Sequence, residues 1–324
     1  MTRMRVLVTG MGGELGTRVA QLLEASTDVD EIAGVDFVPP RRRLRRAEFH
    51  RIDPKNRERL VAFVQDYAPT VIAHFGVYEP AARMGPAAAA ERTELCTVAA
   101  LSAAARAGSL EYVVARSGLE VYGRRVGVAS VPDEAVPPAP GSPYGETLLR
   151  VEAMAAGMGR RQGIPVGALR YAPIVGSHVP SPLGRLLRLP AVPVSAFSDP
   201  PFSLLHPADA AEAMVSAIAL RVDGPLNIVG PGAASPWQAV RLGGRVPVPV
   251  APPLWGWASR VVELAGAAIA PHVVELLRYG RTGSGGRAAE VLGMSDVRPT
   301  QQVLQDLYEW AQVVPLVGGA EAVA

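Results

Sequence analysis

Apolar residues in the first half of the chain follow two alternating rhythms. Short unbroken runs, "RVLVTG" (5–10), "EIAGVDF" (31–37), "TVIAHFG" (70–76), "EYVVARSG" (111–118) and "VGALRYAP" (166–173), have the character of strands covered on both faces. Between them lie stretches with helical spacing. "GELGTRVAQLLEAS" (13–26) places Leu15, Val19 and Leu22 on one stripe, and "NRERLVAFVQDY" (56–67) and "AAAAERTELCTVAALSAAARAG" (87–108) follow in the same way. A further helix opens at Tyr144, after a proline-rich loop (131–143), and runs to about Gln162. Strands alternating with helices predict an α/β fold, a doubly wound parallel sheet with right-handed crossovers. Beyond Gly176 the alternation breaks and prolines crowd 180–207 and 247–253. One short apolar run, "PLNIVG" (225–230), reads as a strand returning to the main sheet. Residues 1–176 are therefore assigned to the sheet domain, and 177–324 to a smaller, interleaved C-terminal region.

The first strand leads into "TGMGGELG" (9–16), where Gly10, Gly13 and Gly16 give the spacing G-x-x-G-x-x-G ahead of a helix. Glycines there allow a tight turn and a close approach of backbone to a pyrophosphate, and the helix start offers free N–H groups to the phosphates. Asp36 ends the second strand 20 residues after Gly16, where a carboxylate can accept both hydroxyls of an adenine ribose. That favours NAD over NADP. Arg41 to Arg43 follow closely and could pair with a 2′-phosphate, so NADP stays open.

Further motifs give the chain a family resemblance. "VYG" (121–123), "LRYAPIVG" (169–176), "HFGV" (74–77) and "HPADAA" (206–211) join the glycine turn. Together they resemble the extended short-chain dehydrogenase/reductase superfamily, and within it the NAD-dependent epimerase/dehydratases of the UDP-glucose 4-epimerase kind. The resemblance implies a Rossmann-type fold and a smaller substrate-binding region. It also implies a cofactor set of Gly10, Gly13, Glu14, Leu15, Gly16, Asp36, Asp53, Phe75, Gly76, Tyr144, Pro173 and Ile174. Asp53 matches the family's acid near the adenine, and Pro173 and Ile174 its positions beside the nicotinamide. The family's two long helices, here 87–108 and 144–162, imply a homodimer.

Departures from the family fall on its catalytic residues. The family tyrosine matches Tyr144, but the lysine four residues on is Leu148, and the serine or threonine position is Gly118. Lys55 is the only lysine in the chain, so none can substitute. A family asparagine on the long helix is Thr93. Without the lysine, a phenol of pKa about 10 is roughly one part in a thousand ionised at neutral pH. Ser117, Glu120 and Arg116 are candidate replacements beside the lost serine; Ser117 could serve only where the strand end is irregular, because neighbours on a strand face opposite sides. Candidate substrate contacts are Tyr78, Glu79, Arg83, Arg185 and His206. Two functions stay open: an NAD-dependent oxidoreductase acting on a nucleotide sugar or similar hydroxylated small molecule with Tyr144 as surviving acid/base, or a catalytically inactive NAD-binding sensor.

Bulk properties narrow the partners. A formal charge of +2 gives no reason to expect nucleic acid, and the arginine-rich "RRRLRR" (41–46) reads as a solvated loop. The longest apolar window, 253–271, carries Arg260 and Glu263 and falls short of a membrane span. Cys96 is the only cysteine and reads as a buried apolar residue, the cytoplasm is the expected compartment, and no metal site is assigned.

Overall fold

The structure is a computed structural model, and it describes residues 4–53, 55–81, 84–123, 130–264 and 269–309. Seven parallel strands form the main sheet: β1 (Arg5–Thr9), β2 (Glu31–Asp36), β3 (Glu48–Arg51), β4 (Val71–His74), β5 (Tyr112–Gly118), β6 (Val166–Tyr171) and, beyond a seventh strand in another sheet, β8 (Gly224–Ile228). Their order is β3-β2-β1-β4-β5-β6-β8. Helices α1 (Glu14–Ala25) and α6 (Pro207–Leu220) pack together on one face. On the other, α3 (Pro86–Ala107) lies between α2 (Arg57–Tyr67) and α4 (Pro143–Gln162). β1, β4 and β5 are apolar along nearly their whole length because helices cover both faces. The run at 225–230 does return to this sheet, with Leu226 opposite Leu169 of β6.

Strand β3 was not evident in the sequence. Its four residues, Glu-Phe-His-Arg, are too short and too charged to read as a strand, and they pair only with β2 at the sheet edge. The arginine-rich segment before it is more than a solvated loop. Arg46 donates to the carbonyls of Leu23, Glu24 and Ser26, closing the C-terminal end of α1, while Glu24 accepts the amides of Arg45, Arg46 and Ala47.

A second cluster of buried residues surrounds α5 (Pro182–Leu187), β7 (Ala191–Ser195), α7 (Pro236–Leu242), β9 (Val246–Val250), α8 (Trp255–Leu264), α9 (Pro271–Tyr279) and α11 (Thr300–Tyr308). Helix α10 (Gly286–Leu292) instead packs on β8 and α6. β7 and β9 form a two-stranded parallel sheet that the proline-rich sequence concealed. Proline is tolerated there because every strand of a two-stranded sheet has a free edge. Trp255 is buried in this second core and Trp237 packs against it, while Trp257 is 68% exposed.

Candidate active site

The cleft opens where the parallel strands end, at the switch between β1 and β4, which is where ligands bind in open α/β sheets. A single cavity of about 270 Å³ runs from the glycine turn and Asp36, past Phe75 and Tyr78, to Tyr144, and is closed by α9 of the second core. It therefore brings together Gly10, Gly13, Glu14, Leu15, Gly16, Asp36, Phe75, Pro173 and Ile174 with Tyr78, Glu79, Arg116, Glu120 and Tyr144.

At Gly10 and Gly16 of the glycine turn the backbone leaves no room for a side chain. Gly10 has φ +71°, and a Cβ there would lie 2.5 Å from the Phe75 carbonyl oxygen. A Cβ on Gly16 would meet the Gly10 carbonyl oxygen at 2.4 Å. Asp36 is held by amides: Gly12 N–H donates to one carboxylate oxygen at 3.0 Å and Phe37 N–H to the other at 2.7 Å. Burial raises its pKa, and the donated amides of Phe37, Val38, Gly12 and Gly13 oppose that rise. Arg42 is drawn away from Asp36 to Glu14, 3.0 Å away, and Glu14 also takes Arg18 at 2.7 Å.

At the other end Tyr144 begins α4, which Ser142 caps by accepting the Gly145 amide. Burial raises the Tyr144 pKa well above the ordinary phenol; Arg116 and Arg281 oppose the rise and Glu79 and Glu120 add to it. Leu148 is fully buried. Gly118 is filled from outside, since a Cβ there would sit 2.2 Å from Glu120 Oε2 and 3.2 Å from a Leu148 methyl. The Glu120 carboxylate is held in turn by Arg281, whose Nη1 donates to Oε1 at 2.9 Å, and Arg281 also faces Glu275 at 3.2 Å.

Two residues invisible as candidates in the sequence complete this end. His272, at the start of α9, packs against Tyr144 with ring centroids 4.7 Å apart and planes tilted by 43°, and its Nε2 lies 3.0 Å from Glu79 Oε1. Glu79 is also 4.0 Å from Arg116. His272 and Arg281 lie more than 120 residues beyond Tyr144 with no motif around them, and only the packing of the second core on the sheet delivers them.

Ser117 also lines the cavity, while Asp53, Gly76, His206 and Arg185 do not. β5 pairs regularly with β6 through Gly118, so the strand end is not irregular, and the Ser117 hydroxyl donates to Glu152 instead of facing Tyr144. Glu152 is gripped by Arg170, which also donates to Tyr122. Asp53 sits on an exposed turn accepting the Lys55 amide, and its charge acts on Tyr78, which lines the cavity. Gly76 lies behind the Phe75 backbone, where a Cβ would meet Cys96 Sγ at 2.4 Å. His206 caps α6 by accepting the Ala208 amide, and burial lowers its pKa. Arg185 lines a neighbouring depression with Arg41, Arg42 and Arg188. Arg83 lies outside the described residues.

The sequence profile of the NAD dependent epimerase/dehydratase family matches residues 6–228. The chain belongs to that family. An uncharacterised protein of Mycobacterium tuberculosis strain H37Rv is 30% identical over 339 aligned positions, covering 96% of this chain and 85% of that protein. Among solved structures, the fold is similar to UDP-glucose 4-epimerase from Thermotoga maritima, with TM-score 0.72, 20% identity, and 95% and 98% of the two chains covered. The same figures describe UDP-glucuronic acid 4-epimerase from Bacillus cereus, solved with UDP-glucuronic acid and NAD. NAD is the family's cofactor, and the residues here fit it. Gly10 and Gly16 put no side chain between the turn and the cavity, and Asp36 presents a carboxylate to the same cavity. Among the described residues no helix is long and apolar enough to cross a membrane.

Proposed function

We propose that this family member binds NAD along the cavity and acts as an epimerase- or dehydratase-type oxidoreductase on a nucleotide sugar. The observation that carries this reading is the continuity of the cavity, which joins the glycine turn and Asp36 to Tyr144. Gly10, Gly13 and Gly16 would admit the pyrophosphate, Asp36 the adenine ribose, and Pro173 and Ile174 the nicotinamide end. The bound cofactor would supply hydride acceptance and return at one sugar carbon. Asp36 argues for NAD against NADP, because its carboxylate repels a 2′-phosphate and Arg42, one of the arginines that could pair with that phosphate, is committed to Glu14.

Tyr144 supplies a neutral hydroxyl. With its pKa raised by burial, it is a proton donor at neutral pH and a poor base. In the family pattern a lysine lowers the tyrosine pKa; here Arg116 and Arg281 act on Tyr144 in that direction, and they do not overcome burial. The same facts favour a second reading, an NAD-binding sensor without turnover. Calorimetric titration with NAD and NADP, followed by assays with UDP-glucose and UDP-glucuronic acid, separates the two. Tight NAD binding with sugar turnover supports the enzyme, and NAD binding without turnover supports the sensor. Failure to bind NAD would sink both.

A further inference from the structure

We propose that His272, oriented by Glu79, is the general base of this cleft, its Nδ1 taking the hydroxyl proton of the substrate. The proposal rests on the oxidoreductase reading above and deepens it at the point where the family's lysine is missing.

The geometry is that of an oriented imidazole. Glu79 Oε1 lies 3.0 Å from His272 Nε2, so an ionised carboxylate places the ring proton on Nε2 and leaves the Nδ1 lone pair free. That tautomer is assigned from the hydrogen-bond network. Nδ1 is buried and has no hydrogen-bond partner among the described residues. Buried polar atoms are seldom left so, and those that are call for a functional explanation. His272 lines the cavity from the second core, its ring 4.7 Å from that of Tyr144 and tilted 43° to it. Arg116 lies 4.0 Å from the other Glu79 carboxylate oxygen.

Tyr144 and His272 then divide the proton chemistry that the family places on one tyrosine. When the hydroxyl is oxidised, its O–H bond breaks, the proton goes to Nδ1, and the oxygen electron pair becomes part of the carbonyl. NAD⁺, held along Gly10, Gly13, Gly16 and Asp36, would supply the acceptor for the hydride that leaves carbon. The resulting imidazolium is paired with Glu79, and Tyr144, already protonated, donates to the carbonyl oxygen. The charged and titratable groups around His272 are Glu79 on the loop after β4, Tyr144 on α4, Arg116 on β5, and Glu120 after it. Glu275 lies on its own helix, and Arg281 donates to its main-chain carbonyl.

The test compares the parent with His272→Gln, whose side-chain amide can keep the bond to Glu79 but offers no base, and with Glu79→Gln. Nitrogen NMR of the imidazoles in the apoprotein should show His272 as the Nε2–H tautomer, and Glu79→Gln should disturb it. In turnover of UDP-glucose or UDP-glucuronic acid, His272→Gln should lower kcat by about 10²- to 10⁴-fold, the usual contribution of general acid–base catalysis. It should abolish the acid limb of the kcat–pH profile with NAD affinity and melting temperature unchanged. A His272→Gln variant with parental kcat, or a parent in the Nδ1–H tautomer, overturns the proposal while leaving the oxidoreductase reading intact. A parent that binds NAD yet turns over neither sugar overturns both.

Discussion

Leu148 and Gly118 look, residue by residue, like two losses from one catalytic set, yet the structure has filled both places. Leu148 is fully buried, and the Glu120 carboxylate, tied to Arg281, stands where a side chain on Gly118 would be. Restoring the family residues should therefore harm the protein. Lysine at 148 would be a charge in the core whose nearby carboxylate, Glu120, is already held by Arg281. Leu148→Lys with Gly118→Ser should cost about 3–5 kcal/mol, the usual penalty of an uncompensated buried charge, and add no turnover. Thermal melts and sugar assays with NAD present check this; undiminished stability with a gain in kcat would instead mark a damaged family site. Cys96 offers a simpler test at this scale. It is 2% exposed, and burial pushes its thiol up to about 12, so alkylating reagents should leave it unmodified until the chain unfolds.

Among the elements, the contact between β1, β4 and α3 depends on one neutral histidine. His74 Nδ1 lies 2.7 Å from the Thr9 hydroxyl and Nε2 lies 2.9 Å from that of Thr97, and the Thr9 oxygen also accepts the Gly76 amide. Burial lowers the His74 pKa to about 4, from 6.5 in the open chain. The unfolded chain thus takes up the proton first. The associated stability is complete above about pH 6.5, falls as pH drops from there towards 4, and totals about 3 kcal/mol. In urea unfolding, His74→Asn should lose about one proton's worth of pH dependence across that window; an unchanged slope would assign the acid sensitivity elsewhere. Element legibility followed local chemistry. β1, β4 and β5 announced themselves because burial on both faces demands unbroken apolar runs. β3, β7 and β9 did not, because an edge strand can carry charge or proline without losing its ladder.

For the whole molecule, Arg281 is the tie between the two cores. Its main chain bonds Pro201 and Ser203 within the second, and its side chain, 2% exposed, reaches Glu120 beside β5 and faces Glu275 on α9. Arg281→Ala would strand two buried carboxylates and should cost about 3–5 kcal/mol, read from the urea midpoint. Glu120→Gln with Arg281→Met should recover part of that loss, since replacing a buried ion pair by packed neutral groups is much less damaging than breaking it. By itself the sequence determined the doubly wound sheet, the glycine turn with Asp36, and the place of Tyr144. Each is written in local spacing: strand–turn–helix, an acid at a strand end, a capped helix start. Tertiary structure alone decided what surrounds Tyr144. His272 and Arg281 reach it across more than 120 residues of chain, and Ser117 is turned away by the pleat of a regular strand. Such meetings depend on how the second core packs over the cleft, and no local spacing records that packing.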